Sequence, residues 1–452
     1  MPVIKQKSKT LRPASVIVMS FALVIATGAF LLTLPISSAE GKFTSPLTAV
    51  FTATSATCVT GLSVVDTGSY WSVFGQIVIL LMIQIGGLGF VTLVSFFSFL
   101  IGKKMELHSI QVASESVNSS GFSDVKQLVK YVIRISAACE AVGALLLMTV
   151  FVPQYGAYGA YISVFLAISA FCNAGFDIMG HVAEPFCSLT TLNTDPVVMT
   201  VIPMLIIAGG LGFFVWMDII GFRKKKRLSL QSKIVLLFTL ILIVIGTVIT
   251  FVTELDNSKT IGNMSFGGKL ANSFFYSVTM RTAGFNTFDN ASMRSITKLF
   301  SLFLMFIGAA PGSTGGGIKV TTFAIIIMTV VSVIKNKSDT IILGRRIDRE
   351  SVYKSLSIIV LSALVASVSS IIIFYSNTDM AGIDVAYETV SAIATTGLSV
   401  GVSAASGALS RIILCISMFI GRVGPVSFAI SLSSGDRRGK NEVYPEGKMM
   451  VG

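Results

Sequence analysis

Apolar runs of two lengths alternate along the chain. Eight long runs cover residues 15–36, 71–101, 127–152, 197–222, 232–253, 296–334, 352–375 and 409–432. Each is long enough to cross a hydrocarbon core, which takes about 20 residues at a helical rise of about 1.5 Å. Four short runs, 45–56, 159–171, 268–280 and 383–394, each lie between two long ones. They are too short to cross. The pattern predicts half-helices that descend partway and turn back. The predicted unit is helix, re-entrant half-helix, loop, helix, used four times. Eight crossings put both ends of the chain on one side.

The segments that follow the short runs resemble one another. They are Ser55-Ala56-Thr57-Cys58-Val59-Thr60-Gly61-Leu62, Ser169-Ala170-Phe171-Cys172-Asn173-Ala174-Gly175-Phe176, Val278-Thr279-Met280-Arg281-Thr282-Ala283-Gly284-Phe285 and Ser391-Ala392-Ile393-Ala394-Thr395-Thr396-Gly397-Leu398. Each has Gly seventh and a large apolar residue eighth. Gly61, Gly175, Gly284 and Gly397 recur at intervals of 109–114 residues. Regular spacing of this kind marks one unit repeated. It divides the chain into 1–110, 111–226, 227–346 and 347–452, the last with a C-terminal tail.

Composition places these units in lipid. Of 452 residues, 53% are hydrophobic and 12% charged, against about 25% charged in a soluble domain. The formal charge of +12 does not form a nucleic-acid-binding stripe. It falls in clusters at alternate ends of the long runs: Lys5, Lys7, Lys9 and Arg12; Lys103 and Lys104; residues 223–227; Lys335, Lys337, Arg345, Arg346 and Arg349; Arg437, Arg438 and Lys440. The opposite ends carry fewer cations. This is the positive-inside pattern, which predicts a multi-pass plasma-membrane protein with both termini cytoplasmic. The five cysteines are odd in number and mostly sit in apolar runs, so no disulfide framework is expected.

The long runs after the motifs also share glycines: Gly86-Gly87-Leu88-Gly89, Gly209-Gly210-Leu211-Gly212, Gly308 with 312–317, and Gly421-Arg422-Val423-Gly424-Pro425. In the first two, one reading is that small residues let helices pack closely in lipid. In the third, the run is too long for one span, and Gly308 to Gly317 is poor helix. A broken helix is expected there, its loop lying in a pore beneath the motif loops, since irregular backbone at membrane depth needs protein or water around it. The same loop is no P-loop: Ile318 separates Gly317 from Lys319. His108 and His181 have no metal-ligand spacing, and no catalytic constellation stands out, so an enzyme is not expected.

Four short segments ending in Gly, without a carboxylate, suit one kind of chemistry. Backbone carbonyls replace the water of a cation without adding full charge, and Gly allows the backbone its close approach. Thr57-Cys58-Val59-Thr60-Gly61 is a degenerate relative of the potassium-channel filter. On the four motifs, the loop 308–317, residues 421–425 and the tail Tyr444-Pro445-Glu446-Gly447-Lys448, the sequence resembles the Trk/Ktr/HKT superfamily of potassium transporters. It is most similar to the membrane subunit of bacterial Ktr systems.

The resemblance implies an all-α membrane protein with fourfold pseudosymmetry around one pore, and a homodimer. It implies a cytosolic RCK-type nucleotide-binding ring as partner, any nucleotide being on that ring, with no cofactor on this chain and no nucleic acid. Cys58, Val59, Thr60 and Gly61, Cys172, Asn173, Ala174 and Gly175, Arg281, Thr282, Ala283 and Gly284, and Ala394, Thr395, Thr396 and Gly397 are then the ion-binding residues. The carbonyls of the two residues before each glycine should contact K⁺. Gly in all four places implies K⁺ over Na⁺. A Na⁺- or H⁺-coupled K⁺ symporter is the alternative.

Two arginines stand apart. Arg422 lies at membrane depth, where a charge costs about 2.5–3.5 kcal/mol on insertion scales and needs a polar partner. It is expected to reach Gly312, Ser313, Thr314, Gly315 and Gly316 and to form a gate with them, as the family resemblance also implies. Arg281 on the axis would repel cations. It is expected to point behind the third motif and pair with a carboxylate, Glu388 or Asp177.

Overall fold

The computed structural model describes residues 13–89 and 125–432. The basic clusters around Lys5 and Lys103, His108, the far end of the 71–101 run and the 444–448 tail lie outside these residues. The first unit contains α1 (Pro13–Thr33), α2 (Pro46–Thr57), the single turn α3 (Thr67–Tyr70) and α4 (Val73–Leu88). The second contains α5 (Val125–Phe171), broken at Gly156, then α6 (Val198–Gly210) and α7 (Phe213–Lys225). The third has α8 (Leu230–Glu254), α9 (Phe266–Thr279), α10 (Ser295–Phe306) and α11 (Val320–Ile334). A short hairpin, β1 (Ile341–Ile342) and β2 (Arg345–Arg346), leads to the fourth: α12 (Arg349–Ser376), α13 (Gly382–Ile393), α14 (Val402–Ala405), α15 (Ala408–Val423) and α16 (Pro425–Leu432).

The predicted half-helices are present, each within two residues of its sequence assignment. They are α2, the part of α5 after Gly156, α9 and α13. Local chemistry starts them. Ser45 caps α2 by accepting from the Thr48 amide, with Pro46 in the first turn. Ser265 caps α9 by accepting from the Gly268 amide. In α5 the chain turns at Gly156, whose φ of +58° suits only a residue without a side chain.

Apolar side chains occupy both the centre of the molecule and its outer surface. The half-helices form the centre, with Phe51, Phe165, Phe171, Phe275 and Tyr387 inaccessible to solvent. The long helices α1, α8 and α12 surround them and turn Leu23, Leu240 and Leu364 outward, each more than half exposed. α1, the long α5, α8 and α12 are apolar and long enough to cross a bilayer. An outer surface this apolar is what lipid as solvent demands.

The second long run of each unit corrects the sequence expectation. Only the third was expected to break. In the structure α6 and α7 bend by 94° at Gly212, and α15 and α16 by 97° at Gly424. α4 ends at Gly89. All three glycines have left-handed φ, 83°, 87° and 93°, which side chains oppose. The reason is a two-glycine pattern. Gly86, Gly209 and Gly421 let the helix approach the half-helix: a methyl group there would strike the carbonyls of Thr57, Phe171 and Ile393. Three residues on, Gly212 and Gly424 turn the chain away, and Gly89 caps the end of α4. The close-packing reading therefore holds at Gly86 and Gly209, while the interruptions at Gly212 and Gly424 were not foreseen.

Candidate functional site

Each half-helix ends at the second or third residue of its motif, and the backbone then does the same thing four times. Val59, Asn173, Thr282 and Thr395 take φ of +55°, +59°, +70° and +51°; two residues later Gly61, Gly175, Gly284 and Gly397 take +99°, +67°, +85° and +85°. Left-handed φ is uncommon for β-branched residues. Three of the four first positions are β-branched, so the surroundings must hold them there. Part of that hold is a shared bond pattern. The amides of Thr60, Ala174 and Thr396 donate to the carbonyls of Ser55, Ser169 and Ser391 at 2.8–2.9 Å.

The four loops meet in a closed cycle. A methyl group built on Gly61 would lie 2.6 Å from the Ala174 carbonyl oxygen. On Gly175 it would lie 2.5 Å from that of Ala283, and on Gly284 2.9 Å from that of Thr396. On Gly397 it would collide with the carbonyl of Thr60. Each glycine thus faces the residue before the next glycine, and the fourth returns to the first. Only Gly fits four such approaches at once. The loops are buried. The hydroxyls of Thr57, Thr60, Thr395 and Thr396 have no protein partner. The half-helices point their C-terminal, partially negative ends at the cycle, and no carboxylate belongs to it.

Beneath it lies the Gly-rich loop between α10 and α11. Methyl groups on Gly315 and Gly316 would strike the side chains of Thr282 and Thr395. The loop is tied to the second unit: the Ala310 amide donates to the Gly210 carbonyl at 3.0 Å, the Phe213 amide to that of Gly312 at 2.8 Å, and the Thr314 hydroxyl to that of Phe171 at 2.9 Å. Arg422 spans two units. Its guanidinium donates to the carbonyls of Thr314 and Gly86, and more weakly, at 3.4 Å, to Gly87. Lys319, which entered the sequence reading only in setting aside a P-loop, donates to the Gly315 carbonyl at 2.7 Å. A cavity of about 220 Å³ opens below, lined by Gly87, Gly315, Lys319, Arg422 and Gly424 among others.

Arg281 corrects the sequence expectation in part. It is buried, with its guanidinium behind the third motif, as expected. Among the described residues it pairs with no carboxylate: it donates to the Gly308 carbonyl at 3.4 Å. Glu388 is occupied otherwise, accepting from the Ser399 hydroxyl at 2.7 Å and the Val400 and Ser403 amides at 3.1 and 2.9 Å. Asp177 accepts from the Met179 amide at 3.0 Å, and burial pushes its carboxyl up to about 6. The physical reason is that the α10 terminus supplies a bare carbonyl, which serves a guanidinium in place of an acid. His181 packs against Tyr158 and the five cysteines are unpaired.

The family model described as TrkH, cation transport protein, matches residues 4–440. The chain belongs to the TrkH family of cation transport proteins. Among its relatives, the Ktr system potassium uptake protein B of Bacillus subtilis is 40% identical over 99% of both chains. The potassium/sodium uptake protein NtpJ of Enterococcus hirae is 36% identical, again over 99% of both. The crystal structure of the potassium transporter TrkH from Vibrio parahaemolyticus superposes with a TM-score of 0.71, at 16% identity, over 95% of this chain and 86% of that one. It shows the shared fold. The family is one of membrane cation transporters and not of enzymes, so the superfamily resemblance read from the motifs is borne out.

Proposed function

We propose that this TrkH-family chain is the ion-translocating subunit of a K⁺ uptake system, and that K⁺ passes through the cycle of four loops. The closed ring of glycine-to-carbonyl contacts carries the reading. It gathers uncharged oxygens from four segments, adds orphaned threonine hydroxyls and excludes carboxylates. Such a set suits a dehydrated monovalent cation. The carbonyls of Val59 and Thr60, Asn173 and Ala174, Thr282 and Ala283, and Thr395 and Thr396 are the proposed ligands. The loop 312–316, held by Arg422, is the proposed gate. By the clustering of cations, both termini and the exposed Arg345 and Arg346 of the β1–β2 hairpin are assigned to the cytoplasmic side. There a cytosolic nucleotide-binding ring would act on a homodimer of this chain. The relatives named for potassium uptake support K⁺ as the ion.

A coupled Na⁺ or H⁺ symporter is the second reading, favoured by the relative named for both potassium and sodium uptake. Four units in one orientation argue for the first, because coupled carriers are commonly built from inverted repeats. The test is ion flux into liposomes holding the purified chain, with and without the ring protein. K⁺ flux well above Na⁺ flux is expected. Equal fluxes in a folded, monodisperse sample would refute the K⁺ filter.

A further inference from the structure

One carboxylate within the membrane-spanning helices takes no part in the ring or its loop. Glu140 lies in the first, membrane-length part of α5, among the outward-facing Val142 and Leu145. It belongs to none of the three ion pairs among the described residues. Its partner is Gln84 of α4, whose amide nitrogen donates to both carboxylate oxygens, at 3.1 and 3.2 Å. The other end of that amide accepts from the Cys172 thiol at 3.4 Å. Cys172 ends the second half-helix, three residues before Gly175. Gly87 closes off the space beside it: a methyl group there would lie 2.7 Å from the Cys172 sulfur.

We propose that Glu140 and Gln84 are a positioning pair that sets the second loop of the ring and tunes its discrimination between K⁺ and Na⁺. The chemistry is directional. The nitrogen of an amide only donates and its oxygen only accepts, and both Glu140 oxygens stand within reach of the Gln84 nitrogen. Glu140 therefore fixes which end of Gln84 faces it, and so leaves the oxygen for Cys172. In low-dielectric surroundings such chains strengthen one another. An ionisable group at membrane depth is expensive to keep, which points to a role for it. The device serves one loop only. The places matching Gln84, two residues before Gly209, Gly308 and Gly421, hold Ile207, Phe306 and Phe419, none of which relays a hydrogen bond. The second loop is thus controlled separately from the other three.

This rests on the ring being the K⁺ filter, and the experiment separates the two. The full chain is reconstituted in liposomes, and the ratio of K⁺ to Na⁺ permeability is measured for Glu140→Ala, Gln84→Leu, the double variant, Glu140→Gln and the exchange Glu140→Gln with Gln84→Glu. Each single removal is expected to lower the ratio roughly three- to tenfold, the worth of one directed hydrogen bond, while total cation flux persists. The double variant should be no worse than either single one. Glu140→Gln, which keeps the shape and is the fallback if Glu140→Ala does not fold, should lower the ratio less. The exchange should restore it, because the carboxylate moved onto α4 still accepts from Cys172. An unchanged ratio in folded Gln84→Leu and Glu140→Gln, or additive losses in the double variant, would overturn the relay. A wild type without K⁺ preference would instead refute the filter reading.

Discussion

At the scale of single residues, the ring glycines are the sharpest points. Gly61 has φ of +99° and no room for a side chain beside the Ala174 carbonyl. Gly61→Ser should bring about 1–2 kcal/mol of backbone strain and displace that carbonyl. The K⁺/Na⁺ permeability ratio is expected to fall by roughly tenfold, the equivalent of about 1.4 kcal/mol. A folded variant with wild-type discrimination would remove Gly61 from the ion's path. Arg281 gives a test of a different kind. Because it bonds to a carbonyl, a double-mutant cycle of Arg281→Gln with Glu388→Gln should show coupling below about 0.5 kcal/mol in thermal stability. Larger coupling would restore the carboxylate partner. The sequence located Arg281 behind its motif, since a guanidinium on the axis would oppose a cation. It could not name the partner, because a backbone carbonyl leaves no trace in the side-chain pattern. The reach of Arg422 to the Gly-rich loop was legible, because a lone charge at membrane depth must find a polar partner. Its second hold on Gly86 was not, since 336 residues separate the two.

Elements were legible where length and period spoke, and less so where a turn depends on one glycine. Half-helices emerged from run length alone. The breaks at Gly212 and Gly424 did not, because an apolar sequence reads the same through a sharp bend as along a straight span. The signal was present as paired glycines three residues apart. At Gly212 a methyl group would face the Pro311 carbonyl at 2.7 Å with φ of +87°. Gly212→Ala should therefore lower the melting temperature and loosen the loop, seen as faster proteolysis or labelling at 308–317. Asp177, in the loop after the second motif, supplies a pH dependence. Its carboxyl is raised from 3.8 to about 6, chiefly by burial. A group raised on folding stabilises the fold fully below its unfolded value and loses that contribution as pH climbs through the folded one. Thermal stability should decline between about pH 4 and 6 by an amount that Asp177→Asn abolishes. An identical pH profile in the variant would exclude Asp177 as the source.

For the whole molecule, one arrangement joins all four units: a buried cycle of loops inside lipid-facing helices, with a loop of the third unit fastened beneath it. Arg422 connects that loop to the first and fourth units at once. Arg422→Ala removes charged donors to Thr314 and Gly86, each worth about 1.5–3 kcal/mol, and should raise basal K⁺ flux about tenfold or more. Unchanged flux at normal expression would take Arg422 out of the gate. The account as a whole meets its most direct test in the reversal potential of the purified chain in a bilayer, under opposed K⁺ and Na⁺ gradients. It predicts a potential that follows the K⁺ gradient at about 59 mV per tenfold ratio and ignores Na⁺. A potential that moves with the Na⁺ gradient as strongly as with K⁺ would contradict it.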